Sequence, residues 1–147
     1  MSTWSCVIHG QPVAKGRPRA CVRGGKVRTY TPEKTARWES HASVTLAAAW
    51  GRRGVIVDAV RLDVLAVFAR PQRLRTKRLR DTFAAHVAKP DGDNILKAAG
   101  DASEKAGIVI NDSIVSRASV EKRYAADGEQ PHVAIALTWA EHAESTR

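Results

Sequence analysis

Lys89-Pro90-Asp91-Gly92-Asp93-Asn94-Ile95-Leu96-Lys97-Ala98-Ala99-Gly100-Asp101-Ala102-Ser103-Glu104-Lys105-Ala106-Gly107-Ile108-Val109-Ile110-Asn111-Asp112 is the stretch that decides the reading of this chain. Pro90 and Gly92 mark a turn. Asp93 or Asn94 is a good N-cap, and Ile95, Ala98, Ala99, Ala102 and Ala106 recur at helical spacing. The spacing predicts a helix from about Ile95 to Ala106, with Gly107 as its C′ residue. Ile108 to Ile110 then reads as a short buried segment. A helix of about 12 residues is about 18 Å long, so the apolar run can bring Asp112 back beside the helix start. Asp93, Lys97 and Asp101 fall four residues apart, as a polar line opposite the Ala/Ile stripe.

Working outward, Trp4–His9 reads as a first strand, rich in β-branched residues. Residues 10–29 carry Pro12, Gly16, Pro18, Gly24 and Gly25, which exclude a helix and predict a long basic loop with a hairpin at Gly24-Gly25. Thr31 and Pro32 open a second predicted helix that runs to about Trp50. Val60–Ala69 is a strand whose second half is mostly apolar, as for one covered on both faces. The basic stretch from Arg70 to His86 reads as a loop or short helix. Ile114–Ala125 and His132–Ala140 complete the strands, the last antiparallel to the one before it. The expectation is one α+β domain over residues 1–147, with a mixed sheet of about four strands and two main helices. Residues 141–147 are expected to be a flexible tail.

The chain has 147 residues and a formal net charge of +9, unevenly placed. Residues 1–90 hold 18 Lys+Arg against 5 Asp+Glu, whereas residues 91–147 hold 6 against 10. Excess positive charge attracts polyanions, of which nucleic acid is the commonest. Aromatic residues are only 5%, so phosphate contact is expected rather than base stacking. Three basic clusters stand out: residues 15–37, the pair Arg52-Arg53, and residues 70–80, with Arg70, Arg73, Arg75, Lys77, Arg78 and Arg80. Carboxylates repel phosphate, so an acidic patch in a polyanion binder implies a neutralising cation. Asp91, Asp93 and Asp112 offer only oxygen ligands, which suit Mg²⁺ or Mn²⁺ rather than zinc. Lys97 is placed to orient a phosphate or neutralise developing charge. The same aspartates also satisfy a plainer reading as turn and cap residues, with Lys97 as a surface partner.

No apolar run is long enough to span a bilayer, and the first six residues read as no signal peptide. Cys6 and Cys21 are the only cysteines, which fits a reducing cytoplasm and no thiolate zinc site. The five histidines show no metal-ligand spacing and read as surface or strand-end residues.

The run Asp91-Gly92-Asp93-Asn94 through Lys97 and Asp101-Ala102, with Lys105-Ala106-Gly107 and then Asn111-Asp112, resembles the RusA family of Holliday junction resolvases. Gln11-Pro12-Val13-Ala14-Lys15-Gly16-Arg17-Pro18-Arg19 and Tyr30-Thr31-Pro32 resemble its phage and prophage members. The resemblance covers most of residues 4–139. It implies a RusA-like fold and a Mg²⁺-dependent homodimeric endonuclease, with Mn²⁺ as a substitute ion and no small-molecule cofactor. Its substrate would be a four-way DNA junction, cut by paired symmetric nicks in recombination and repair. By the same resemblance Asp91, Asp93 and Asp112 are metal-binding catalytic residues, Lys97 is an essential lysine and Asp101 is auxiliary. Lys15, Arg17, Arg19 and Lys122 would contact DNA, as would Arg73, Arg75 and Lys77 of the second large basic cluster. Asn111 stands where some members have a second Asp. Two rivals stay open: a less selective nuclease for branched or flap DNA, and a non-catalytic basic DNA-binding module.

Overall fold

The computed structural model describes residues 1–141; most of the expected tail at 141–147 lies outside the described residues. The chain runs β1 (Ser2–His9), β2 (Arg19–Arg23), β3 (Lys26–Tyr30), α1 (Glu33–Trp50), β4 (Val60–Phe68), α2 (Gly92–Lys105), β5 (Val115–Tyr124) and β6 (His132–Trp139). Short 3-10 turns sit at Gln72–Leu74 and Asp112–Ile114. The main sheet has the order β1-β6-β4-β5, and β2 and β3 form a separate two-stranded ribbon.

One expectation is met and one is corrected. First, residues 10–29 carry the hairpin expected at Gly24-Gly25, its arms forming the paired strands β2 and β3 while the first half of the segment stays loop. Gly24 and Gly25 both have positive φ, 60° and 76°, and form the two-residue connection that matches strand twist. Second, β5 and β6 are not paired with each other. β4 lies between them, parallel to β5 and antiparallel to β6. The reason is apolar content: β4 is the most hydrophobic strand, and an interior place in the sheet covers it. Its Val60, Leu62, Val64, Ala66 and Phe68 all face the core, and Val67 is buried as well. The β4–α2–β5 crossover follows, since parallel neighbours need a connection that returns over the sheet.

Trp38, Ala42, Leu46 and Trp50 of α1 join Ile95, Ala98, Ala99 and Ala102 of α2 in one core with the strands. Trp4 meets Trp50 edge to face, with ring centroids 5.1 Å apart, and Trp139 closes the cluster at 5.8 Å from Trp50. These contacts tie the end of α1 to the end of the sheet.

Helix α2 starts one turn earlier than the periodicity predicts. Gly92 is its first residue, Asp91 is the N-cap and Ala106 is the C-cap. The two aspartates lie on the first turn, where the helix dipole favours negative charge, so the helix absorbs the Gly92 turn. A Cβ at Gly92 would stand 2.9 Å from Val120 Cγ1, so only glycine allows α2 to approach β5 this closely. At Gly100 a Cβ would meet nothing within 4 Å, so no close packing inside this chain requires that glycine.

Arg70 is not part of a solvated basic face. It is 5% exposed, and its guanidinium donates to the carbonyls of Leu74, Leu79, Thr82 and Ala125. It is the hub on which the turns of residues 70–82 are wound. Arg75 Nε in turn donates to the carbonyl oxygen of Arg70.

Candidate active site

Asp91 and Asp93 sit at the start of α2, both exposed. An aspartate at an N-cap commonly accepts from the N–H groups of the first turn. Asp91 makes no such side-chain bond, so its carboxylate is left facing solvent. One turn along, Lys97 reaches toward the end of the chain segment that follows the helix. Its Nζ lies 3.0 Å from Asp112 Oδ2 and 3.4 Å from Asp101 Oδ1. Asp112 opens the short turn before β5, and Asn111 Oδ1 caps that turn by accepting from the Ser113 N–H at 3.0 Å.

The network extends into the basic segment. Lys15 Nζ pairs with Glu39 of α1 and lies 3.3 Å from Asp101 Oδ2. The Lys15 backbone N–H donates to the Asn94 carbonyl oxygen at 3.1 Å. Glu39, Lys15, Asp101, Lys97 and Asp112 thus form one alternating line of charge from α1 across α2 to the start of β5. Asp112 is held below the usual carboxylate range by the hydrogen bond from Lys97. Lys97 is raised, first by its bond to Asp112 and then by the charge of Asp101. Lys15 is raised chiefly by its hydrogen bond to Glu39. Asp112, Lys97 and Lys15 are therefore charged at neutral pH.

The structure brings Lys97 and Asp101 together as their spacing predicts, and adds Lys15 and Glu39; Asp112, expected beside Asp91 and Asp93 at the helix start, pairs with Lys97. Among the described residues, no three Asp, Glu, His or Cys side chains converge as a ready-made metal cage. Asp112 instead faces the ammonium of Lys97. The chemistry of the donors, though not a preformed cage, fits a hard divalent ion. Mg²⁺ is commonly held by one or two carboxylates, with water and substrate phosphate filling the remaining positions. The donor set is carboxylate oxygen only, Asp91 carries no cap bond, and Asp112 already accepts a cation.

Two lysines expected at DNA phosphates are placed differently. Lys15 is half-buried and committed to Glu39 and Asp101. Lys122 is also half-buried, and its Nζ donates to the carbonyls of Ala88 at 2.9 Å and Pro90 at 2.8 Å. Two of its three N–H donors hold the loop that delivers Asp91. Arg17, Arg19, Arg73, Arg75 and Lys77 are exposed, as phosphate contacts require.

Sequence reasoning missed Glu39 and His86. Glu39 is one of only two acids in the first 57 residues, and an isolated acid in a basic field is a signal for a paired one. His86 is not a surface residue. It stacks on Phe68 with ring centroids 3.7 Å apart, packs against Tyr124, and its Nδ1 has no partner among the described residues. Burial, with the Lys122 charge second, pushes its pKa down and keeps it neutral. It backs the strand that carries Lys122, and its own N–H donates to the Lys122 carbonyl oxygen at 3.1 Å.

Residues 9–138 match the family model described as Endodeoxyribonuclease RusA. The chain belongs to the RusA endodeoxyribonuclease family. The match spans every strand and helix of the main sheet apart from most of β1, so the RusA fold accounts for nearly all of the structure described above. A relative from Bacillus subtilis (strain 168), the "Uncharacterized protein YqaN", is 31% identical over 136 residues, covering 88% of this chain and 92% of the relative. Membership makes this protein a nuclease with DNA as its substrate. No helix among the described residues is long and apolar enough to cross a membrane.

Proposed function

We propose that this RusA-family protein is a Mg²⁺-dependent, structure-selective endodeoxyribonuclease that resolves four-way DNA junctions by paired symmetric nicks. One observation carries the reading: Lys97 is held between Asp101 and Asp112, one helical turn from the exposed Asp93 and less than two from the exposed N-cap Asp91. Asp91, Asp93 and Asp112 would hold the ion, with Mn²⁺ as a substitute. A bound ion of this kind supplies Lewis acidity and charge neutralisation at the scissile phosphate.

The remaining roles belong to the chain itself. Lys97 meets a non-bridging phosphate oxygen and stabilises charge on the departing 3′ oxygen. Asp101 and Lys15 fix its direction. Lys122 holds the loop before Asp91. Arg17, Arg19, Arg73, Arg75 and Lys77 bind backbone phosphates, so affinity falls steeply with salt. Residues 1–147 act as one domain with one site, and paired cutting requires a two-fold homodimer. The protein works in the cytoplasm of a bacterial host, in recombination and repair, encoded by the cell or by a prophage. It needs no small-molecule cofactor.

The testing variant is Asp93→Asn. Cleavage of a four-way junction in Mg²⁺ is abolished while junction binding survives. Turnover near the wild-type rate would remove Asp93 from the site.

A further inference from the structure

The β2–β3 hairpin stands apart from the sheet. All its residues except Cys21 are exposed, including Val22 at 72% and Val27 at 70%. An isolated two-stranded hairpin is marginal in water, so a hairpin kept outside the core points to a partner. Its register shows which face that partner takes. Arg19 is opposite Tyr30, Cys21 opposite Arg28, and Arg23 opposite Lys26. Directly paired residues share a face, and alternate pairs share it too. One face therefore carries Arg19, Arg23, Lys26 and Arg28 together. The other carries Ala20, Val22, Val27 and Thr29, with no charge. There is no acid anywhere in residues 10–32, and none of these four cations forms an ion pair among the described residues.

The root of the hairpin is fixed at the candidate active site. Lys15 donates its N–H to Asn94 at the start of α2, and Gly16 donates its N–H to Thr35 Oγ1 of α1 at 3.1 Å. Thr35 donates back to the Ala14 carbonyl oxygen. On the other side Pro32 leads directly into α1. Both ends of the ribbon are thus anchored within a few residues of the Lys15–Asp101–Lys97 line. Five residues per strand give an arm of about 17 Å, and a two-stranded ribbon is of a size the major groove admits.

We propose that the β2–β3 hairpin is a duplex-binding arm, whose cationic face of Arg23, Lys26 and Arg28, continuing Arg19, tracks the phosphates of the DNA arm beside the cut. The proposal rests on the nuclease reading for the identity of the polyanion. It assigns the arm to duplex rather than to single strand, because a ribbon with one charged face matches a regular double row of phosphates.

The test is the full-length triple variant Arg23→Gln, Lys26→Gln, Arg28→Gln. Binding to a four-way junction, a plain duplex and a single strand is measured without divalent metal over a salt series. Thermal melting of the variant checks that the core is unchanged, as expected for residues outside it. The arm predicts that junction and duplex affinity both fall by at least about tenfold, and that the slope of log K against log salt drops by about 2.7. Wild-type slope and affinity on both probes would overturn it, as would a loss confined to the single strand. Cleavage of the junction by the wild-type protein in Mg²⁺ is scored separately. Failure there would sink the nuclease reading and leave the binding comparison to decide the arm.

Discussion

Replacing Lys122 with Met separates a positioning role from a phosphate contact. The ammonium makes two hydrogen bonds, 2.9 and 2.8 Å, to the carbonyls of Ala88 and Pro90. Hydrogen bonds to a charged group contribute about 1.5–3 kcal/mol, and Lys122 is half-exposed, so the lower end applies to each bond. Together they anchor the loop by about 3 kcal/mol. Met keeps the length and apolar stem and removes both bonds. The loop enters α2 at Asp91 directly, so its release shifts the carboxylates of the first turn. A misplacement of about 1 Å at reacting groups costs about 10²-fold in rate, close to what 3 kcal/mol of lost anchoring permits. The assay has two arms: single-turnover cleavage of a labelled four-way junction in Mg²⁺, and metal-free binding over a salt series. The expected result is a rate about 10²-fold lower with the salt slope unchanged. A phosphate contact would instead lower the slope by about 0.9. A slope reduced by that amount, or an unaltered rate, would refute the positioning argument.

Two further outcomes follow from the packing at the other end of the basic stretch. Arg70→Met strips the donors from four carbonyls (Leu74, Leu79, Thr82 and Ala125) and should cost at least about 3 kcal/mol, read as a lower urea midpoint at constant m-value; a loss below about 1 kcal/mol would contradict its role as hub. Glu129 is held at about 2, against an ordinary 4.5, first by the Arg123 guanidinium and then by the Ala126 N–H. Its folded pKa is depressed, so the stability it contributes is complete above about pH 4.5 and is lost as pH falls toward 2. Thermal melts of wild type and Glu129→Gln should therefore converge across that window; a constant gap would show that the ion pair is not the source.

Much of the fold was legible because its signals are local. The Ala/Ile stripe of α2, the alternation of β6 and the Gly24-Gly25 connection each depend on neighbours a few residues apart. The order of strands was not, since β4 inserts between β5 and β6 through apolar cover that no local pattern shows. At the site, the 93–97–101 spacing put Lys97 and Asp101 on one face, where they pair, whereas Asp112, expected beside Asp91 and Asp93, is drawn to the Lys97 ammonium. The buried and half-buried cations were harder. Lys15, Arg70 and Lys122 look like their solvated neighbours in sequence, and only long-range proximity to Glu39, to the carbonyls of 74–82 and to the Ala88–Pro90 loop turns each inward. Charge counting finds a basic field; it does not tell which members of that field are already spent.

The most direct test of the account is a synthetic four-way junction incubated with the protein and Mg²⁺, with cuts mapped on all four strands. The account predicts paired nicks at symmetric positions on two opposing strands, with plain duplex and Y-forks cut far more slowly. Cleavage of junction, fork and duplex at equal rates, or no nicking with any divalent ion, would contradict it.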